Sequence, residues 1–140
     1  MRLSEKDWKQ QLSPEQYEVL RQKLTEAPFS GAFLYNEAMG TYVCAACGQR
    51  LFSSEQKFDA NSGWPSFYDV INKGAVNLKE DLSHGLRRVE VLCKNCGSHL
   101  GHVFNDAHGQ PTKMRFCINS RSLDFRPINN SKTKFKEGKS

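Results

Sequence analysis

Four of the chain's five cysteines form two identical motifs, and this duplication constrains the fold more than any other feature. Cys44-Ala-Ala-Cys47-Gly48 and Cys93-Lys-Asn-Cys96-Gly97 both read Cys-x-x-Cys-Gly. The two-residue spacer lets both sulfurs of a pair approach one ion at about 2.3 Å, and the glycine permits a tight turn. Two pairs complete a tetrahedral site with no open position, so we predict one structural zinc ion per chain.

The separation of the two pairs indicates what this metal holds together. Residues 48–92 lie between the pairs, whereas the pairs of a small zinc ribbon are about 15–20 residues apart. We therefore expect the ion to clip two distant hairpins of one domain. The alternative is two thioredoxin-like redox pairs, but the parallel βαβ pattern that accompanies such pairs is missing from the sequence.

The chain of 140 residues is long enough for one domain with its own core. We predict this domain over residues 1–128 and a basic, disordered tail over residues 129–140. Residues 1–27 are expected to form a helical arm, and residues 31–128 a zinc-containing β domain.

Two helix starts are visible in the arm. Ser13-Pro14-Glu15-Gln16 combines an N-cap serine, a proline at the first helical position and a capping box. Tyr17, Leu20 and Leu24 then share one helical face, and we expect this helix to end before Pro28. Ser4-x-x-Asp7 predicts a shorter helix before it. Both are interpreted as packing elements without a catalytic role.

From Gly31 onward, short β-rich runs alternate with glycine and asparagine, which predicts a mainly antiparallel β domain. The predicted strands are Ala32–Tyr35, Thr41–Cys44, Val76–Leu78, Arg87–Leu92, His99–Phe104, Arg115–Asn119 and Leu123–Phe125.

One of these runs presents a thiol that is set up to react. In residues 114–120 apolar side chains alternate with Arg115, Cys117 and Asn119, so one face of the strand packs inward and the other carries these three groups. A positive charge beside a thiol favours the thiolate, which is the nucleophile. With four sulfurs assigned to the metal, Cys117 is left to react.

Two histidines and a tryptophan are further candidates. A regular strand would place His99 and His102 on opposite faces, but a bulge at Gly101 could turn both rings the same way. They are either structural hydrogen-bonding groups or general acids. Trp64, between glycine and proline, is either a half-buried core aromatic or a rigid apolar wall for a substrate group.

In order along the chain, these motifs resemble those of the methionine-R-sulfoxide reductases of the B type. They are Cys-x-x-Cys, Ser-Gly-Trp-Pro-Ser-Phe, Cys-x-x-Cys, His-Leu-Gly-His-Val-Phe and Arg-Phe-Cys-Ile-Asn-Ser, over about Leu12–Phe125. The resemblance implies two antiparallel sheets with helices at the N-terminal side. It also implies stereospecific reduction of methionine-R-sulfoxide in proteins, in peptides or free, as protein repair under oxidative stress.

The resemblance also assigns roles to residues. Cys117 attacks the sulfoxide sulfur and becomes a sulfenic acid, His99 and His102 flank the oxygen, and Arg115 and Asn119 support the thiolate. The substrate-binding residues are Trp64, Phe104 and Phe116. The zinc ligands are Cys44, Cys47, Cys93 and Cys96.

Two positions depart from the family pattern. Ser62 stands where many members have the cysteine that resolves the oxidised nucleophile, so an external thiol is expected to regenerate Cys117: thioredoxin, glutaredoxin or a small thiol. Asp106–Pro111 also differs from the usual sequence after His-Val-Phe, which indicates a change near the substrate rim.

Two other functions fit parts of the sequence. A zinc-clipped binding module would explain the net charge of +5, and a thiol peroxidase would explain Cys117 alone. Four lysines of that positive charge lie in the last twelve residues, so we expect no nucleic-acid partner. Without an apolar run of about 20 residues we expect no membrane span, and we predict a cytoplasmic monomer.

Overall fold

The chain folds into two short helices followed by nine strands, in a computed structural model that describes residues 4–128 except the side chain of His84. Helix α1 spans Glu5–Gln11 and helix α2 spans Pro14–Leu20. Both begin with a capping box, the predicted one at Ser13 and another at Ser4, where only a short helix was predicted. None of the helices in residues 4–128 has the length and apolarity needed to cross a bilayer. The predicted tail over 129–140 lies outside the described residues.

The strands form two antiparallel sheets. They are β1 (Gly40–Cys44), β2 (Arg50–Ser53), β3 (Lys57–Phe58), β4 (Ser66–Phe67), β5 (Val76–Asp81), β6 (Arg88–Cys93), β7 (His99–Phe104), β8 (Arg115–Ile118) and β9 (Leu123–Pro127). The first sheet has the order β2-β1-β9, and the second has the order β3-β4-β8-β7-β6-β5. This architecture confirms the predicted fold class, mainly β with two antiparallel sheets and N-terminal helices.

The two sheets and the helices share one buried core. Phe52 of the first sheet stacks on Phe67 of the second with 4.3 Å between ring centroids, and Tyr42 lies edge-on to Phe67 at 5.1 Å. Trp8 of α1 and Leu20 of α2 are each 1% exposed and belong to the same cluster. Burying a large apolar side chain stabilises the fold by about 1.5–3 kcal/mol, which holds the arm against the β domain.

The predicted strand over Ala32–Tyr35 is wrong. This segment forms consecutive turns, in which the N–H of Leu34 donates to the carbonyl of Gly31 and that of Asn36 to the carbonyl of Phe33. The backbone hydrogen bonds are therefore local and form no ladder. The Phe33 ring still packs against the core, which explains the β-like composition of the run.

Helix α2 ends at Leu20, before Pro28 as predicted, but too early to include Leu24, which was predicted on its apolar face. Lys23 adopts a left-handed backbone with φ of 63°, and the N–H of Leu24 donates to the carbonyl of Glu18 at 3.0 Å. This hydrogen bond spans one residue more than that of a Schellman motif, but the left-handed residue turns the chain in the same way, and glycine is the usual residue at such a position. Because a lysine stands there, no local signal marks the stop, and Leu24 remains 52% exposed.

Sequence analysis missed β2, β3 and β4. Two of them have only two residues, too few for a periodic signal. In β2 the neighbouring residues Leu51 and Phe52 are both buried, so strict alternation is absent. The other six strands lie where the β-rich runs predicted them, with β5 extending to Asp81.

A β-bulge at Leu100 determines where two histidines point. His99 pairs with Leu92 and Gly101 pairs with Val91, which leaves Leu100 as the extra residue of β7. The bulge resets the alternation and places the rings of His99 and His102 on the same face, with 5.5 Å between centroids. The predicted irregularity is therefore confirmed, one residue before Gly101.

Gly101 lets β7 and β8 approach each other closely. A Cβ at this position would lie 2.9 Å from the Cα of Ile118 and nearer still to the carbonyl oxygen of Cys117. We predict that Gly101→Ala destabilises the fold by about 1–3 kcal/mol, the usual cost of overpacking, as measured by thermal unfolding. Gly109→Ala is the control, because a Cβ there meets nothing within 4 Å. Equal stability of the two variants would contradict the close approach.

Candidate active site

The two Cys-x-x-Cys-Gly motifs meet in space. Cys44 ends β1 and Cys93 ends β6, so one pair lies in the turn after each strand. The four Sγ atoms lie within 4.8 Å of one another. The Sγ atoms of Cys44 and Cys96 are 3.7 Å apart, and the other close pair, Cys47 and Cys93, is 3.6 Å apart.

These distances fit a tetrahedral metal. Sulfurs at about 2.3 Å from a zinc ion are about 3.8 Å from one another, so the cluster can hold a zinc ion. Hydrogen bonds to Cys47, Cys93 and Cys96, with burial, raise the pKa of the Cys44 thiol far above its ordinary value, because four neighbouring sulfurs do not all ionise without a cation. Since β1 and β6 belong to different sheets, the cluster joins the two sheets.

Strand register places the remaining thiol in a polar row. Cys117 of β8 pairs with His102 of β7 on one side and with Ser66 of β4 on the other. Directly paired residues of antiparallel strands share a face, and so do residues two apart along a strand. Arg115 and Phe104 pair with each other two positions further along the ladder, and they therefore lie on the same face as Cys117.

Arg115 is the cation of this row. Its Nη1 lies 2.6 Å from the Sγ of Cys117, and its Nε and Nη2 donate to the two carboxylate oxygens of Asp106 at 2.9 and 3.0 Å. The guanidinium also stacks over the Phe104 ring, 4.4 Å from the centroid. The hydrogen bonds with Asp106 raise the pKa of Arg115 and lower that of Asp106. The guanidinium is thus fixed where it stabilises a thiolate.

Two serine hydroxyls lie on another side of the same sulfur. The Oγ of Ser62 is 3.6 Å and that of Ser66 is 3.8 Å from the Sγ of Cys117. The two hydroxyls are themselves 3.3 Å apart. Ser62, the position predicted to lack the resolving thiol, therefore lies beside the sulfur.

His99 is buried beside a carboxylate. Its side chain is 2% exposed, its Nδ1 lies 2.7 Å from Oε2 of Glu90, and Lys23 reaches the other oxygen of Glu90 at 3.1 Å. Burial lowers the pKa of His99 and outweighs the opposing effect of Glu90. The ring is therefore neutral at neutral pH, and its Nδ1–H donates a hydrogen bond to Glu90. Within residues 4–128 its buried Nε2 has no hydrogen-bond partner.

His102 has a different environment. Its Nε2 lies 2.8 Å from Oδ2 of Asp81, which also accepts hydrogen bonds from Ser83 through Oδ1. The hydrogen bond with His102, followed by those from Ser83, holds the pKa of Asp81 well below its usual range. The hydrogen bond with Asp81 fixes the orientation of the His102 ring and occupies its Nε2.

A cavity of about 210 Å³ opens onto Cys117. Its walls are Thr25, Trp64, Arg88, Gly101, His102, Phe104, Arg115, Cys117 and Asn119. Six of the predicted site residues line this cavity: Trp64, His102, Phe104, Arg115, Cys117 and Asn119. His99 does not line it, and its ring centroid lies 5.5 Å from that of His102. Trp64 is half-buried, and its Nε1 donates to the carbonyl of Glu26 at 3.0 Å.

Phe116 is a correction to the predicted pocket. It faces the core, 6% exposed, and its ring lies 6.0 Å from that of Phe52. The alternation along β8 requires this, since Cys117 occupies the opposite face. Phe116 is therefore not a wall of the cavity.

Several polar residues of the site were not found from the sequence. Asp81, Arg88 and Glu26 gave no local signal, because the fold brings them from other strands and loops. Arg88 lines the cavity, whereas Asp81 contacts His102 and Glu26 contacts Trp64 and Asn119. Glu90 had one: it stands between Val89 and Val91 in an alternating strand, on the face that carries the histidines. A carboxylate on such a face is expected to have a buried partner.

Comparisons with known proteins show which family this sequence resembles. Residues 12–127 match the family model described as the SelR domain. Three curated relatives are named peptide methionine sulfoxide reductase MsrB. That of Methanosarcina barkeri is 61% identical over 123 residues, 88% of this chain and 86% of that protein. That of Leptospira interrogans is 57% identical over 122 residues (87% and 92%), and that of Alteromonas mediterranea 51% over 132 residues (94% and 92%).

The contact between Arg115 and Cys117 gives a testable prediction. We expect Arg115→Gln to slow alkylation of Cys117 by iodoacetamide at neutral pH about tenfold, the size of one lost charge-assisted hydrogen bond. Peptide mass mapping locates the modified thiol. Arg87→Gln removes the same charge from an exposed side chain and should leave the rate unchanged. An equal rate in both variants would show that Arg115 does not activate the sulfur.

Proposed function

The chain belongs to the SelR family, the methionine sulfoxide reductases of the MsrB type, and we propose that it reduces the R epimer of methionine sulfoxide, in proteins and peptides or free, to methionine. One observation carries the proposal. A thiol contacted by a guanidinium shares a cavity of about 210 Å³ with a histidine and an indole. These groups supply the three requirements of the reaction: a soft nucleophile, a proton donor and a wall that fixes the chirality at sulfur.

The first step forms a bond between two sulfurs. Cys117, as a thiolate stabilised by Arg115, attacks the electrophilic sulfoxide sulfur. The oxygen accepts a proton, and the resulting hydroxyl passes to the Cys117 sulfur as the substrate S–O bond and the new S–S bond break, which releases methionine. Cys117 is oxidised to the sulfenic acid by the two electrons that reduce the substrate.

We assign the proton donor to His102. Asp81 accepts from its Nε2 and stabilises the imidazolium, which leaves Nδ1 for the sulfoxide oxygen. Proton transfer of this kind contributes about 10²–10⁴ in rate. His99, neutral and bonded to Glu90, is assigned a different part: its free Nε2 accepts a hydrogen bond and orders the groups around the oxygen. Asn119 is proposed to support the same face.

Stereoselectivity is proposed to come from two contacts together. Trp64 and Phe104 receive the apolar methyl group, and His102 receives the oxygen. A methyl contact alone is worth about 1–3 kcal/mol. In the S epimer with its methyl on the indole, the oxygen points away from His102, and this loss of the donor adds to the discrimination.

Regeneration of Cys117 needs a partner thiol. That thiol attacks the sulfenic sulfur and releases water, and a second thiol reduces the mixed disulfide. The position beside the sulfur holds Ser62, whose hydroxyl does not form a disulfide. We propose thioredoxin, glutaredoxin or a small thiol as the reductant, which suits a cytoplasmic enzyme, and a monomer as the working form.

The metal is proposed to be structural. Cys44, Cys47, Cys93 and Cys96 would hold zinc with no open position, so the ion would supply folding energy and no catalysis. Residues 1–128 are then proposed to act as one catalytic domain, in which the helical arm 1–27 packs on the β domain 31–128.

The reaction is tested with separated epimers. With dithiothreitol and each epimer of a blocked methionine sulfoxide, we expect methionine from the R epimer only, quantified by chromatography. Trp64→Ala should lower the ratio of R to S turnover, since the methyl group loses its wall. Comparable reduction of both epimers by the wild type would contradict the proposed pocket.

Regeneration is tested by intact mass after turnover without reductant. We expect the wild type and Ser62→Ala to gain one oxygen atom each. Ser62→Cys places a thiol beside the sulfenic acid and should lose two hydrogens through an internal disulfide. A loss of two hydrogens in the wild type would contradict the proposal and would implicate a cysteine of the metal cluster.

The metal is tested by elemental analysis. We expect one zinc per chain in the wild type, and its loss together with a lower unfolding temperature in Cys96→Ser. Cys117→Ser removes the fifth cysteine and is the matched control, which should keep the metal. Folded wild type without metal would refute the zinc assignment.

A further inference from the structure

Glu26 is a buried carboxylate that the reaction does not use. It is 2% exposed, and its two carboxylate oxygens accept the backbone N–H groups of Ser120 and Arg121, each at 2.9 Å. These two residues follow Cys117 and Asn119 on the chain. A buried carboxylate is costly unless hydrogen bonds compensate it, so this one is held tightly to the segment behind the nucleophile.

The peptide groups of the same residue contact two walls of the cavity. The carbonyl of Glu26 accepts the indole Nε1–H of Trp64 at 3.0 Å, and its N–H donates to Oδ1 of Asn119 at 3.1 Å. The preceding residue, Thr25, lines the cavity itself. One residue therefore bridges the indole wall, the asparagine wall and the segment behind Cys117.

Neighbouring contacts reinforce this bridge. The N–H of Phe29 donates to the carbonyl of Gly63 at 2.7 Å, so the segment after Glu26 also holds the backbone next to Trp64. The Nδ2 of Asn119 donates to the carbonyl of Leu100, the bulge residue of β7. Both polar atoms of the Asn119 side chain are thus committed to holding loop and bulge in place.

We infer that Glu26 is a positioning residue for substrate recognition: by anchoring its own loop to the 120–121 backbone, it fixes the Trp64 indole in the orientation that receives the substrate methyl group. The inference rests on the proposed function, because its kinetic test uses the R epimer as the substrate. Glu26 touches neither substrate nor sulfur. Its loss should therefore weaken substrate binding and selectivity while leaving the reactivity of Cys117 intact.

Glutamine is the conservative test. In Glu26→Gln the side chain keeps its shape, but its NH₂ group faces a backbone N–H that needs an acceptor, so one of the two anchoring bonds is lost. We expect KM for the R epimer to rise about tenfold, the size of one lost charge-assisted hydrogen bond, and the ratio of R to S turnover to fall. The alkylation rate of Cys117 should stay within about twofold. Glu18→Gln, at an exposed position of α2, is the control of equal charge.

A double-mutant cycle separates positioning from simple structural support. Trp64→Phe keeps an aromatic wall but removes the N–H donor. If Glu26 acts through the indole, Glu26→Gln should change KM much less in the Trp64→Phe background than in the wild type. An effect of equal size in both backgrounds, or a parallel loss of Cys117 alkylation, would overturn the inference.

If Glu26→Gln does not fold, a measurement on the wild type decides the case, with Trp64→Phe used only to assign its signals. The chain has two tryptophans, so Trp64→Phe assigns the two indole N–H signals in an NMR spectrum. Hydrogen exchange of the Trp64 Nε1–H should be slowed by its bond to Glu26, and exchange at the rate of a free indole would overturn the inference. This readout needs no substrate, so it stands even if the R epimer proves not to be reduced.

Discussion

The bulge at Leu100 is the constraint on which the arrangement of the site depends. In a regular strand His99 and His102 would face opposite sides, and only one could approach Cys117. The extra residue brings both rings to one face, and its carbonyl accepts the backbone and side-chain N–H groups of Asn119. The bulge is therefore locked to the segment that follows the nucleophile. The cysteine cluster in the turn before β7 fixes the strand from its other end.

A chain of hydrogen bonds connects this bulge to the other walls of the cavity. The side chain of Asn119 holds the loop at Glu26, that loop holds the Trp64 indole, and the Glu26 carboxylate returns to the backbone after Asn119. Each link is a hydrogen bond between groups shielded from water, where an unpaired donor or acceptor is costly. The indole of Trp64, proposed to receive the substrate, and the strand that carries Cys117 therefore form one unit.

The charged side chains around the Cys117 sulfur are likewise held in place by neighbouring groups. On one side Arg115, fixed by Asp106 and by the Phe104 ring, places its guanidinium 2.6 Å from the Sγ of Cys117. On another side Oδ2 of Asp81 lies 2.8 Å from Nε2 of His102. His99 is buried deeply enough for its desolvation to outweigh Glu90, and it remains neutral. Two histidines three residues apart thus have carboxylate partners at different depths, since the Glu90 side chain is 1% exposed and that of Asp81 is 10% exposed.

Local patterns predicted much of this arrangement. The spacing of the cysteines predicted the metal cluster, and the alternation of residues 114–120 placed Phe116 and Cys117 on opposite faces. That same alternation argued against Phe116 as a pocket residue, which only the resemblance had suggested. Glu26 and Asp81 were beyond reach, since their roles arise from contacts between distant segments. The stop of α2 at a left-handed Lys23 was equally hidden, because glycine is the residue that normally marks it.

The most direct test of this account is a single turnover without reductant. We expect each wild-type chain to form one molecule of methionine from methionine-R-sulfoxide and then to stop, since one thiol supplies one pair of electrons and Ser62 supplies none. Cys117→Ser should form no methionine under the same conditions. Methionine formation by Cys117→Ser equal to that of the wild type would contradict the assignment of Cys117 as the nucleophile, and with it the reading of the whole site.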